Sequence, residues 1–157
     1  MSTNENEIGA GTDPEAPQLQ LQSVYLKDCS YEAPNGPRVQ GEWNPQINLD
    51  LHTGVQPLSS DVNEVVLTVT VSAKQGELTL FLVEVKQAGV FIMKNLAEPE
   101  VKRSVASICP SVLFPYARAA VSQLVTQGGF PQFLLPPVNF DALYTRAADQ
   151  QQPAATN

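Results

Sequence analysis

The feature that most constrains this chain is a change of hydrophobic period near its middle. Val65, Leu67, Val69, Val71 and Ala73 alternate with Val66, Thr68, Thr70 and Ser72, and a period of two places the two sets on opposite faces of a β-strand. Ile47, Leu49 and Leu51 repeat the alternation against Asn48, Asp50 and His52, with Asn44-Pro45 marking where that strand starts, and Phe81, Val83 and Val85 repeat it again. The stretch from Leu19 to Glu32 is less regular. Leu19, Leu21, Tyr25, Cys29 and Tyr31 share one parity, whereas Val24 and Leu26 take the other; a β-bulge, or a strand with both faces partly covered, produces such a break. Lys74-Gln75-Gly76-Glu77 is short enough to close an antiparallel hairpin between the third and fourth strands.

Beyond these strands the spacing becomes helical. Pro99 suits a first helical turn, where its missing N–H is not needed; Val101, Val105, Ile108 and Cys109 then line one side, and Pro110 is expected to end or kink the helix. Leu113, Ala117, Ala120, Val121, Leu124 and Val125 form a second, broad apolar stripe, with Gly128 placed as a left-handed cap. Its start is open between Ser111 as an N-cap and Pro115 as a first-turn residue. Asn139 reads as the N-cap of a last helix through Leu143, Tyr144 and Ala147. Strands followed by helices imply an α+β domain, an antiparallel sheet with helices packed on one face. Residues 1–18 carry Glu5, Glu7, Asp13 and Glu15 with no Lys or Arg, and are expected to be a disordered acidic tail. Residues 19–150 form the single domain, and 151–157 a second disordered tail.

Several function classes are excluded by what the chain lacks. A net charge of -7 with only nine Lys and Arg leaves no basic stripe, so nucleic acid and anionic lipid are not expected partners. The first eighteen residues lack the basic and apolar regions of a secretory signal, and the apolar segments elsewhere fall short of a membrane span. A cytoplasmic protein without direct membrane insertion is the expectation. Cys29 and Cys109 have no Cys-x-x-Cys spacing and read as two buried, reduced thiols. His52 is the sole histidine, too little for a zinc cluster and poorly placed as a nucleophile's base. The glycines at 9, 11, 128 and 129 lack the Lys-Ser/Thr of a phosphate loop. No catalytic residue, metal or cofactor is expected.

Two surfaces remain. Phe130, Phe133, Leu134 and Leu135 lie in a proline-rich segment between two helices, too apolar for plain connecting chain and suited to binding something apolar. On the fourth strand Leu78, Leu80, Leu82, Glu84 and Lys86 take the parity opposite to the core, and Asp28 and Glu32 share one face of the first strand. If the sheet brings those strands together, Asp28, Glu32 and Glu84 make an acidic patch beside Leu82.

Leu-Phe-Pro-Tyr-Ala-Arg at 113–118 and Pro-Val-Asn-Phe-Asp-Ala-Leu at 137–143 resemble the bacterial protein-export chaperone SecB. So do Tyr25 to Asn35, Trp43-Asn44-Pro45, Asp61 to Leu67 and Phe81 to Val85, in the same order, so that the likeness covers residues 19–150. It implies a four-stranded antiparallel sheet with helices behind it, assembled as a homotetramer, a dimer of dimers. The implied activity is that of an ATP-independent holdase that binds unfolded preproteins and delivers them to the SecA motor. Carried onto this chain, the polypeptide groove corresponds to Tyr31, Trp43, Tyr116, Phe130 and Phe133, and the SecA contact to Asp28, Glu32, Leu82 and Glu84. The carboxyl-terminal residues 150–157 are nearly neutral, a departure from members with acidic tails. Two alternatives stand beside this reading: a small-ligand binder or enzyme with an apolar pocket, and a SecB-like chaperone dedicated to a toxin–antitoxin system.

Overall fold

A computed structural model describes residues 13–151; the parts of the expected tails at 1–12 and 152–157 lie outside the described residues. Four strands, β1 (Gln18–Glu32), β2 (Gln46–Pro57), β3 (Val62–Gln75) and β4 (Leu78–Lys94), form one antiparallel sheet in the order β1-β4-β3-β2. A helical run follows: α1 (Glu98–Arg103), a π-turn (Ser104–Ile108) and α2 (Cys109–Gln127); α3 (Phe140–Gln151) comes last. The α+β architecture expected from the change of period is therefore present, with α2 lying on the central strands β3 and β4. Val65, Leu67, Val69, Val71 and Ala73 are fully buried beneath it, together with Phe81, Val83 and Val85. Each such Val, Leu or Phe side chain, fully removed from water, stabilises the fold by about 1.5–3 kcal/mol.

The irregular parity of β1 resolves into two bulges. Pairing with β4 slips between Leu21 and Ser23 and again between Leu26 and Asp28. These slips place Leu19, Leu21, Val24, Leu26, Cys29 and Tyr31 on the helix-side face, and turn Tyr25 to the opposite, outer face. A third slip, between Ala73 and Lys74 of β3, skips Leu80 of β4. Leu80 was expected on the outer face with Leu82; the bulge buries it beside Phe81 instead. The fourth strand is also longer than its alternation suggested, because Gln87, Ala88 and Gly89 interrupt the pattern while continuing the ladder. A Cβ on Gly89 would lie 2.8 Å from Phe91 Cε2 and 2.9 Å from Leu113 Cδ2, so the glycine sets how closely α2 approaches the sheet.

Pro110 does not end the helix. The π-turn just before it takes up the change in backbone pairing, and the helical path runs unbroken from Glu98 to Gln127 with Pro115 inside it. The run is long and apolar enough to cross a membrane by length and composition, contrary to the sequence reading; here one side of it forms the core of the fold. The extra residue in the π-turn rotates Ile108 outward, so it is exposed, while Cys109 is buried. Cys29 corrects a second expectation: it is exposed, because β1 is an edge strand that α2 scarcely reaches. Gly128 ends α2 with ordinary helical geometry, and the left-handed residue is Gly129, at φ 84°. Phe130 N–H bonds Val125 O and Gly129 N–H bonds Thr126 O, which completes a Schellman motif. Ahead of β1, residues 13–17 turn against the sheet, where the Asn95 side chain donates to the carbonyls of Pro14 and Ala16.

On the outer face, edge strand β1 is tied to β3 across the top of β4. Glu64 of β3 is nearly buried and accepts hydrogen bonds from Lys27, at 2.5 Å, and from the Tyr25 hydroxyl. The bond from Lys27, then that from Tyr25, holds the Glu64 carboxyl below the usual carboxylate range. The same bond, with burial and the carboxylate charge, pushes the Tyr25 phenol up to about 12. A lowered carboxyl pKa contributes stability above its unfolded value, lost as pH falls through the folded one; a raised phenol pKa contributes below its unfolded value, lost as pH rises through about 12. Urea unfolding as a function of pH should therefore show Glu64→Gln with a flatter acid limb than the unsubstituted protein, and Tyr25→Phe with a flatter alkaline limb. Parallel limbs would mean that the cluster does not hold β1.

Candidate functional site

The connection from β1 to β2 must cross from one sheet edge to the other, and residues 33–45 do so past the β3–β4 turn. Gln75 clamps it, donating to the carbonyls of Gln40 and Glu42 at 3.0 Å and accepting from Asn44 N–H at 3.0 Å. Asn35 adds a bond to the Thr79 carbonyl. This crossover meets the C-terminal end of α2: a Cβ on Gly129 would lie 3.2 Å from the Pro37 ring. Beyond Gly129 the chain runs without regular structure to α3.

Four aromatic rings bridge the crossover, the sheet and this last connection. Trp43 lies 5.9 Å from Phe130, Phe130 lies 5.3 Å from Phe81, and Phe81 lies 6.1 Å from Phe133, all in tilted or edge-on arrangements. Trp43 is 37% exposed and Leu134 is 60% exposed, but Phe130 only 4%, so the run passes from surface to core. Phe130 is thus the floor of the site rather than its open wall. An open hollow of about 300 Å³ adjoins the crossover, lined by Val39, Gln40, Gln75, Glu77, Leu78 and Leu80. Phe81 is the member the sequence assigns only to the core; it shares the inward parity of β4 with Phe91, and no sequence signal separates the two.

Tyr31 enters from β1. Its ring reaches the end of α2, where a Cβ on Gly128 would fall 1.7 Å from the hydroxyl oxygen and 2.5 Å from Cζ. Gly128 is required there by this close approach and not by its backbone angles. The Tyr31 hydroxyl is sealed from solvent, finds no hydrogen-bond partner among the described residues, and has its pKa raised by burial. Tyr116 is not brought into this group: it lies mid-way along α2, 51% exposed, in a stripe with Ile108 and Val112. No metal-holding cluster of His, Cys, Asp or Glu is present among the described residues.

The outer sheet face carries the other set. Glu32 pairs with Leu82, Ser30 with Glu84 and Asp28 with Lys86, so Asp28, Glu32, Leu82 and Glu84 are immediate neighbours. Leu82 is well exposed. Thr70 Oγ1 lies 3.4 Å from Glu84 Oε2, and Asp50 of β2 pairs with Thr70, which carries the acidic row across the sheet. The outward parity of Asp50 was visible in the sequence, though nothing there marked it as part of this row.

A family model described as preprotein translocase subunit SecB matches residues 12–151. The chain belongs to the SecB family. Among solved structures, a SecB-like chaperone from Mycobacterium tuberculosis, in complex with a ChAD peptide from the HigA1 antitoxin, superposes at a TM-score of 0.66 with 18% identity, over 77% of this chain and 91% of that one. It shares the SecB fold with this chain. A protein of unknown function from Streptococcus agalactiae aligns over 77% of this chain and 98% of its own, at a TM-score of 0.40 and 10% identity. Membership in the SecB family bears out the likeness read from the motifs, and with it a chaperone role.

The Tyr31–Gly128 contact can be checked directly. Gly128→Ala should cost about 1–3 kcal/mol of unfolding free energy, the usual range for overpacking. In a Tyr31→Ala background the same substitution should cost much less, and equal costs in the two backgrounds would rule the contact out as the cause.

Proposed function

We propose that this SecB-family chain is an ATP-independent holdase that binds extended, apolar segments of unfolded preproteins in the cytoplasm and passes them to the SecA motor. The observation that carries the reading is the aromatic run from exposed Trp43 to Phe133, set between the crossover and the segment after α2. Exposed parts of such rings bury substrate side chains, while unpaired main-chain groups bond the substrate backbone whatever its sequence. Preferential binding of the unfolded chain then delays its folding by mass action. Trp43, Phe130 and Phe133 form the core of the proposed groove, Tyr31 its inner end, and Tyr116 a more distant contact.

The reading includes assembly into a dimer of dimers. Ile108 at the end of the π-turn, Val112 and Tyr116 on α2, and Leu26 on the helix-side face of β1, are exposed apolar side chains suited to packing against further copies. Several grooves on one assembly would convert weak local contacts into avidity for a long chain. Asp28, Glu32, Leu82 and Glu84 are proposed to contact SecA from the outer face. A second reading is favoured by the mycobacterial structure, in which a chaperone of this fold is in complex with an antitoxin peptide: the same groove would then serve one dedicated antitoxin.

Light scattering of the protein with a chemically unfolded preprotein, while refolding is followed in the same sample, tests the holdase reading. Trp43→Ala and Phe133→Ala should each weaken the suppression of refolding several-fold without changing the molar mass of the assembly; undiminished suppression would remove the groove from the account. Asp28→Lys with Glu84→Lys should leave suppression intact and reduce SecA affinity by about tenfold or more, as expected for reversing two charges at a contact. Unchanged affinity would reject that surface.

A further inference from the structure

Among the asparagines of this chain, Asn35 alone precedes a glycine. The side-chain carbonyl carbon of an asparagine is open to attack by the main-chain nitrogen of the next residue, and a side chain on that residue crowds the ring that forms. Gly36 removes that obstacle. It sits at φ 62°, and a Cβ built on it would meet nothing within 4 Å, so the backbone there has room to turn. Asn35 is exposed and lines an open hollow of about 490 Å³ with Pro34, Arg38, Gln40 and Leu78, which gives solvent access to the reacting groups. Two bonds restrain the pair: Gly36 N–H donates to Ala33 O at 3.0 Å, and Asn35 Nδ2 donates to Thr79 O at 3.2 Å. Each is a single bond at the surface and slows ring closure by about tenfold at most. The other described asparagines are worse placed. Asn44 precedes Pro45, whose nitrogen carries no proton; Asn48 and Asn63 lie inside β2 and β3; Asn95 and Asn139 precede the bulky Leu96 and Phe140.

We propose that Asn35-Gly36 is a self-modification site, whose conversion to aspartate and isoaspartate frees the crossover from the β3–β4 hairpin. Solvent base removes the Gly36 amide proton, the nitrogen bonds to Asn35 Cγ, and the Cγ–Nδ2 bond breaks as ammonia leaves with a proton from water. Water then adds to one of the two carbonyls of the resulting succinimide and opens the ring to aspartate or to isoaspartate. Water is the only co-reactant. Either product loses the amide donor, and the aspartate turns a carboxylate toward the Thr79 carbonyl, acceptor against acceptor. Isoaspartate also adds a methylene to the main chain two residues before Pro37, which packs against Gly129 at the end of α2. Among the described residues, the Gln75 clamp is then the side-chain polar hold that remains on the crossover. The effect on capture of an unfolded chain rests on the groove reading; the chemistry at Asn35 does not.

Folded protein aged at mildly alkaline pH, then digested and mapped by mass spectrometry, tests the site. Residue 35 should gain the amide-to-acid mass difference well before Asn48, Asn63, Asn95 or Asn139, with isoaspartate verified by an isoaspartate-specific methyltransferase. Asn35→Gln, which keeps the amide donor but would have to close a larger ring, should stay unmodified. Trp43 is the sole tryptophan and lies on the crossover, so acrylamide quenching of its fluorescence reads the structural consequence. Quenching should rise in the aged protein and in fresh Asn35→Asp, and should not change when Asn35→Gln is aged in the same way. Suppression of substrate refolding should fall by roughly two- to tenfold in the aged protein, the effect of one hydrogen bond. Modification of residue 35 no faster than at the other four asparagines would overturn the site. Modification with unchanged Trp43 quenching would overturn the release of the crossover, and altered quenching with undiminished suppression would overturn its bearing on the groove. Fresh protein that suppresses no refolding, while residue 35 converts as expected, would refute the holdase reading and leave the site standing.

Discussion

One helix covers two strands. An α-helix with its side chains is about 10–12 Å across and strands are spaced about 4.8 Å apart, so α2 seals β3 and β4 and leaves the inward faces of β1 and β2 short of cover. The remaining features follow from that shortfall. The buried valines concentrate on the two central strands, whereas Leu26 on one edge and Val55 on the other stay exposed. The crossover and the segment after α2 are drawn over the open end of the sheet, where Trp43, Phe130 and Phe133 fill space that a second long helix would otherwise occupy. Gly89 and Gly128 mark how tightly the helix is seated at each end, since a methyl group at either would displace a neighbour.

The parts of this fold that rest on a single regular period were open to reading from sequence. The alternation of β2 and β3 gives their faces directly, and Asn139 caps α3 as its side-chain chemistry suggests, accepting from Ala142 N–H at 3.0 Å. What sequence did not convey was where the period slips. Each bulge shifts parity by one, so Leu80 went from an outward to a buried position, and Tyr25 and Leu26 exchanged faces. A bulge depends on two strands meeting in space, and neither strand alone records it. The π-turn is the helical counterpart: it let the chain pass Pro110, and it moved Ile108 to the surface.

The candidate site divides in the same way. The outer acidic set was legible because parity and strand pairing suffice, and Asp28, Glu32, Leu82 and Glu84 are neighbours as expected. The aromatic set was legible as residue types in loops, but its depth was not, since burial of Phe130 depends on Phe81 from a distant strand. Nothing in the sequence marks Asp141, which accepts from Ser107 Oγ at 3.1 Å and from Arg103 Nε at 3.3 Å, because an ordinary acid, serine and arginine meet only when α3 folds back on the π-turn.

The aromatic run and the acidic row lie on opposite sides of one thin sheet. A molecule seated against Trp43 and another resting on Leu82 would not compete for space, and each could arrive or leave while the other stays. Transfer between them would need no interval in which the cargo is released to solution, so a three-component intermediate is geometrically permitted. If both proposed surfaces are used, the sheet is a partition with two addresses, and the order of arrival is left to the partners and their concentrations.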